Sequence, residues 1–219
     1  MSDVRHAAAP HAIYLKDYRA PEFLIDSVNL HFDLGEERTH VRAQLQMRRA
    51  PMTSVGVPLV LNGHGFELAS VTLDGRALPS TDYIVEADRL TLVQVPDVFN
   101  LEIVTVLRPQ DNTSLEGLYK SSGNFCTQCE AQGFRKITYF LDRPDVLARY
   151  TVTLSGDQAK YPVLLSNGNC VARGQGEGGT HWARWQDPFP KPCYLFALVA
   201  GDLACVEDEF ITRSGRRVV

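Results

Sequence analysis

The chain has 219 residues, with 22 Lys and Arg against 26 Asp and Glu, a net charge of −4. That balance argues against nucleic acid as the main partner. Hydrophobic residues make up 44% and charged residues 22%, the proportions of a soluble globular protein, which excludes disordered, collagen-like and coiled-coil classes.

No run approaches the ~18 consecutive apolar residues that span a bilayer. Met1 to Pro10 lacks the apolar core of a secretory signal, its only apolar run being Ala7 to Ala9. The five cysteines are an odd number in a chain far above disulfide-scaffold size, so they read as reduced thiols. These features predict a cytoplasmic protein with no membrane partner.

The first 20 residues mix Ala, His and Pro without a period, and the fold is expected to begin near Phe23. Val28, Leu30, Phe32 and Leu34 alternate with polar residues, and Val41, Ala43, Leu45 and Met47 do the same after a turn at Gly35–Arg38. Period 2 on both sides of a turn predicts an antiparallel hairpin with one buried face. Weaker alternation predicts strands at 57–61, 66–73, 83–85, 89–93 and 101–107, then at 149–154, 163–166, 180–185 and 194–201. The last contains an unbroken apolar run, Leu195 to Ala200, suited to a strand covered on both faces.

The glycine-rich stretch Gly174–Gly179 reads as a hairpin tip. Asp142 and Pro144 have the chemistry to open one short turn, Asp142 as its cap. No segment sustains a 3.6-residue period, so the predicted class is all-β, built of antiparallel sheets. At the end, Phe210–Arg213 meets Ser214-Gly215, and Arg216–Val219 begins a returning strand. The expectation is a fragment cut within a hairpin.

Catalytic motifs are sparse. Cys126-Thr127-Gln128-Cys129 has the spacing of half a zinc site or a redox pair. Cys170, Cys193 and Cys205 stand singly, so packed thiols are the competing reading. The six histidines are scattered outside any H-E-x-x-H pattern. The stretch from Leu115 to Tyr150 is odd in another way. Gln128 and Glu130 stand among small and apolar neighbours, with Arg135, Asp142 and Arg143 close behind. A carboxylate in such company is either paired structurally or aimed at a cationic ligand.

This stretch also carries a family resemblance. Ser114–Tyr119, Cys126–Ala131, Ile137–Tyr150, Leu164–Asn169 and Gln186–Asp202 resemble, in order and spacing, the N-terminal domain of the bacterial aminopeptidase N type within zinc metallopeptidase family M1. The likeness runs from about Tyr18 to the last residue. It implies a saddle-like antiparallel β-sandwich packed on a thermolysin-like catalytic domain of the same chain. It also implies removal of single residues from peptide N-termini. By the resemblance, Glu130 binds the substrate's free α-amino group and Gln128 lines the pocket for the first side chain.

The family's zinc and catalytic base sit on an H-E-x-x-H helix that this sequence lacks. Zinc is therefore expected in the parent enzyme, with no metal and no catalytic residue in this fragment, which alone should be inactive. The implied division is an N-terminal extension at 1–20, expected to be poorly ordered, a β domain at 21–205, and the first hairpin of the catalytic domain at 206–219. A non-catalytic β-sandwich interaction module, and a zinc or redox module built on Cys126 and Cys129, are the rival readings.

Overall fold

The structure, a computed structural model, describes residues 14–219. Of the N-terminal extension expected at 1–20, residues 1–13 lie outside the described residues. Residues 14–20 contain one turn of 3₁₀ helix at Leu15–Asp17. They touch the body of the protein through Tyr18 Oη, which donates to Asp145 Oδ2 at 2.9 Å, and Arg143 Nη2, which donates to the Arg19 carbonyl at 2.7 Å.

Alternating apolar residues form strands where expected. β1 (Phe23–Leu34) and β2 (Thr39–Arg49) make the hairpin, with Val28 opposite Leu45 and Leu34 opposite Thr39. Strict alternation fails once, at Asp26. Ile25 and Val28 are both buried though three apart, and the register jumps from Ile25/Met47 to Ser27/Gln46. The extra residue is a β-bulge that keeps the apolar residues on both sides of it facing the core.

β3 (Leu59–Asn62), β4 (Glu67–Leu73), β6 (Tyr83–Val85), β7 (Arg89–Leu92) and β8 (Val98–Leu107) fall close to their expected places, with the two-residue β5 (Arg76–Ala77) returning from β4. β9 (Gly117–Ser121) and β10 (Asn124–Gln128) form a hairpin that alternation did not mark. β11 (Ala148–Asp157), β12 (Val163–Ser166), β13 (Asn169–Gln175), β14 (Thr180–Lys191) and β15 (Leu198–Gly201) follow. The glycine-rich tip joins β13 to β14. β16 (Phe210–Ile211) and β17 (Arg217–Val218) pair only with each other among the described strands.

The strands assemble into an eight-stranded sheet, order β13-β14-β11-β1-β2-β8-β4-β5, a four-stranded sheet, β12-β15-β10-β9, and a three-stranded sheet, β3-β7-β6. Helical structure among the described residues is limited to four 3₁₀ turns. The class is all-β, as expected.

Three local expectations need correction. The large sheet is mixed rather than antiparallel throughout, because β1 and β11 run parallel with Ser27 opposite Arg149 and Leu34 opposite Gly156. The apolar run at 194–201 is no single strand: Cys193–Leu195 is a 3₁₀ turn that buries Cys193 and leaves Leu195 exposed, and β15 starts only at Leu198. Asp142 caps nothing, since its carboxylate is engaged by Arg135 and Cys193.

One face of the large sheet is polar and solvated. Ser27 donates to Gln46, Asn29 to Gln44 and Gln44 to Glu102 across neighbouring strands. The other face is the core, where Leu30, Phe32, Val41, Ala43, Ile103, Val152 and Leu154 are fully or almost fully buried. It is covered by the smaller sheets and by the irregular segment that links β10 to β11. An aromatic cluster locks that segment down: Phe134 packs against Phe140 and Phe196 with ring centroids 4.7 and 5.3 Å apart, and Phe196 stacks on Phe32 at 5.9 Å. Edge-on and offset aromatic pairs of this kind contribute about 0.5–1.5 kcal/mol each beyond the area they bury.

Candidate functional site

Gln128 ends β10, an inner strand of the four-stranded sheet, and Glu130 sits two residues later on a tight turn. The strand is held on both sides. Phe125 lies opposite Lys120 on β9 and Ala200 on β15, and Thr127 Oγ1 accepts from the Leu198 amide at 2.8 Å and donates to the Leu198 carbonyl at 3.1 Å. The frame from which the turn springs is therefore rigid.

The far end of the turn is fixed as firmly. The Gly133 amide donates to the Cys129 carbonyl at 2.8 Å, closing the loop around Glu130, Ala131 and Gln132. A Cβ on Gly133 would meet the Gln128 carbonyl oxygen at 2.3 Å, so only glycine allows the ends to come this close. Gly117, at φ +72, faces the same spot, and a Cβ there would meet Lys136 Cβ at 2.7 Å. Phe134, buried in the aromatic cluster, then nails the following 3₁₀ turn, Phe134–Lys136, to the core.

Within this frame the charged groups sort cleanly. Asp142 is buried at 3% exposure. Its Oδ2 accepts from Arg135 Nε at 2.8 Å and from the Arg135 amide at 3.1 Å, its carbonyl accepts from Arg135 Nη2 at 3.1 Å, and its Oδ1 accepts from the Cys193 thiol at 3.0 Å. Glu116 pairs with Lys136 at 2.6 Å and Asp145 with Arg143 at 2.7 Å. The Glu130 carboxylate is exposed and has no ion pair or side-chain hydrogen bond among the described residues. Only its main chain is engaged, the carbonyl accepting from Gln128 Nε2 at 3.0 Å. The two residues singled out by resemblance are thus brought together, with the Gln128 amide bracing the Glu130 backbone and the carboxylate left open. The Glu130–Ala131 peptide bond is cis.

The C-x-x-C pair has different chemistry. Cys126 is half-buried and Cys129 is buried. Burial first, and the Asp142 charge second, push the Cys129 thiol up to about 12; burial also raises Cys126. Reactive redox thiols are held low by electropositive surroundings, and burial moves these two the other way. No three His, Cys, Asp or Glu side chains converge into a metal site among the described residues. No helix of the described residues is long and apolar enough to cross a membrane.

Sequence reasoning missed Asp142 and Arg135 as partners. Their 2.8 Å contact spans seven residues of irregular chain, which no periodicity marks.

A cleft of about 450 Å³ is bordered by Arg38, His64, Arg108 and Lys136 among others. Neither Gln128 nor Glu130 borders it, so Glu130 stands on open surface in this chain.

The chain is 54% identical to an aminopeptidase N of Caulobacter vibrioides and 52% identical to that of Escherichia coli, in each case across 95% of this chain. It spans only 24% of the length of either relative. Among solved structures, Legionella pneumophila aminopeptidase A in complex with aspartic acid superposes with a TM-score of 0.88 at 34% identity, covering 93% of this chain and 24% of that one. Residues 28–195, which take in every strand of the three larger sheets from the middle of β1 to the end of β14, match the Peptidase M1 N-terminal domain, and the chain belongs to the M1 peptidase family as that domain.

Proposed function

We propose that this chain is the N-terminal part of a zinc aminopeptidase that releases single residues from peptide N-termini, and that Glu130 receives the substrate's α-ammonium while Gln128 flanks the first side chain. The observation that carries the reading is the contrast among acids around one turn. Asp142, Glu116 and Asp145 each have a cation, while Glu130 has none among the described residues. A carboxylate held open on a rigid turn is preorganised for an ammonium brought by a ligand, at little cost in ordering.

A charge-assisted hydrogen bond of this kind contributes about 1.5–3 kcal/mol. A substrate with a blocked amine, or an internal residue of a peptide, forfeits it, and exopeptidase selectivity follows. The role given to this chain is to bind and orient; among the described residues no ligand set for a zinc converges, and the reaction at the scissile carbonyl is assigned to chain outside this sequence.

Residues 21–205 are read as the domain proper and 206–219, whose residues are almost all exposed, as the opening hairpin of a catalytic domain of the same chain. That domain is the proposed partner, with the peptide N-terminus as substrate and the cytoplasm as location. The test is kinetic and uses the full-length zinc-loaded protein. Glu130→Gln should lower kcat/KM for aminoacyl arylamides roughly 10- to 150-fold with zinc content unchanged. An unaltered kcat/KM removes Glu130 from the site.

A further inference from the structure

The turn that carries Glu130 is followed at once by two cations, Arg135 and Lys136. Either, if free, is a built-in competitor for an open carboxylate a few residues away. Neither is free. Arg135 is engaged by Asp142 through three donors, two to the carboxylate and one to the main-chain carbonyl. The Asp142 side chain is only 1% exposed, and its remaining oxygen is occupied by Cys193. Lys136 is held by Glu116 at 2.6 Å and by Ser114 Oγ at 3.1 Å.

We propose that Asp142 is a positioning residue for the amine site: by sequestering the Arg135 guanidinium it keeps the Glu130 carboxylate unpaired, with Glu116 doing the same for Lys136 at the surface. The inference rests on the reading of Glu130 as amine anchor and adds the reason that anchor stays vacant. The geometry suits the task, because a guanidinium held by its Nε on the Asp142 carboxylate and its Nη2 on the Asp142 main-chain carbonyl cannot swing to a second carboxylate without losing both contacts at once. A liberated Arg135 acts in two ways. It pairs with Glu130 directly, and it repels an arriving ammonium. At an effective dielectric of about 20, one uncompensated unit charge about 10 Å away weakens binding of a monovalent cation roughly ten-fold.

The experiment compares Asp142→Asn, the double variant Asp142→Asn/Arg135→Gln, and Glu130→Gln in the full-length zinc-loaded enzyme, with an aminoacyl p-nitroanilide as probe. Asp142→Asn should raise KM about ten-fold with a much smaller change in kcat, and added salt should shrink the defect. The double variant should return KM to within about two-fold of the unaltered enzyme, although it lacks the ion pair altogether. A purely structural role predicts the opposite, since the double variant is at least as perturbed as the single one. A double variant no better than Asp142→Asn, or Asp142→Asn with an unaltered KM, overturns the proposal.

Should Asp142→Asn not fold, the exposed pair carries the test. Glu116→Gln should raise KM two- to three-fold and Glu116→Gln/Lys136→Gln should reverse it, and an unaltered KM in Glu116→Gln is then the refuting result. Glu130→Gln separates the two levels. If it leaves KM and kcat/KM intact, the amine-anchor reading itself falls; if it is defective while the Asp142 series shows no rescue, only the sequestration falls.

Discussion

Two threonines on one face of the large sheet make opposite predictions from the same substitution. Thr39 on β2 and Thr105 on β8 are both 0% exposed, and they are diagonal neighbours, Thr39 opposite Leu107 and Val41 opposite Thr105. Thr105 Oγ1 donates to the Ile137 carbonyl at 2.9 Å, tying the sheet to the segment behind the Glu130 turn. Thr39 Oγ1 is buried with no partner among the described residues. Valine has threonine's shape without the hydroxyl. Thr105→Val therefore removes a buried hydrogen bond and strips a buried carbonyl of its donor, a loss of about 1–2 kcal/mol net of the methyl gained. Thr39→Val removes a desolvated hydroxyl that gains nothing in return, so it should stabilise by about 1 kcal/mol.

The two variants should thus differ by roughly 2–3 kcal/mol. Urea titration followed by the fluorescence of Trp182 and Trp185 reads this directly. With a slope of about 2 kcal/mol/M, the midpoints should separate by about 1–1.5 M, on opposite sides of the parent. Midpoints that move together, or a Thr39→Val protein less stable than the parent, would refute the hydrogen-bond assignment that distinguishes them.

Alkaline pH should expose the buried thiols. Cys129 is pushed from 9.0 up to about 12, and burial raises Cys193 and Tyr150 in the same direction. The unfolded chain gives up these protons at lower pH than the folded one, so stability is intact below about pH 9 and falls as pH rises toward 12. For Cys129 alone the loss by pH 10.5 is on the order of 2 kcal/mol. Urea midpoints measured at pH 8, 9.5 and 10.5 should fall less steeply for Cys129→Ala than for the parent; parallel slopes would contradict the burial argument. A separate test concerns Arg49, whose side chain is 6% exposed. It donates to Asp97 Oδ1 at 2.8 Å and to the carbonyls of Ser54, Val57 and Val95, and its guanidinium lies 4.8 Å from the Phe23 ring centroid. Lysine cannot reproduce that fork. Arg49→Lys should cost about 2–3 kcal/mol and lower Tm by about 5–10 °C, and a change under 2 °C in a thermal melt would show that the fork contributes little.

How legible each element is in the sequence follows from how evenly its two faces differ. β1, β2 and β8 each bury one face and wet the other, so period 2 appears in the residues themselves. β9 and β10, which frame Glu130, have no such contrast: β9 grades from buried to exposed along its length, and β10 buries Phe125 alone. Alternation has nothing to mark there, so neither strand was expected, and the resemblance pointed to these residues without giving them a conformation. The parallel pairing of β1 with β11 was hidden for another reason, since hydrogen bonds between segments about 120 residues apart leave no local trace. At 194–201 a uniformly apolar run concealed a 3₁₀ turn, because Pro192 precedes it and Cys193 and Phe196 reach the core from a chain that is not extended. The identity of the open carboxylate was readable as a pair of alternatives. That Glu130 is not the partner of Arg135 became visible only in the structure, where Asp142 receives that guanidinium.

The β1–β11 register also sets an order of events during synthesis. β1 has one hairpin partner within reach as soon as β2 emerges, but its other edge stays bare until about 100 more residues have been translated. At roughly 5–20 residues per second the nascent chain carries that uncovered strand for many seconds, with Ile25, Leu30 and Phe32 on its apolar side. Ribosome-bound chains stalled before Ala148 should accordingly be chaperone clients and aggregation-prone, whereas chains released beyond Lys191, with β11 seated between β1 and β14, should not.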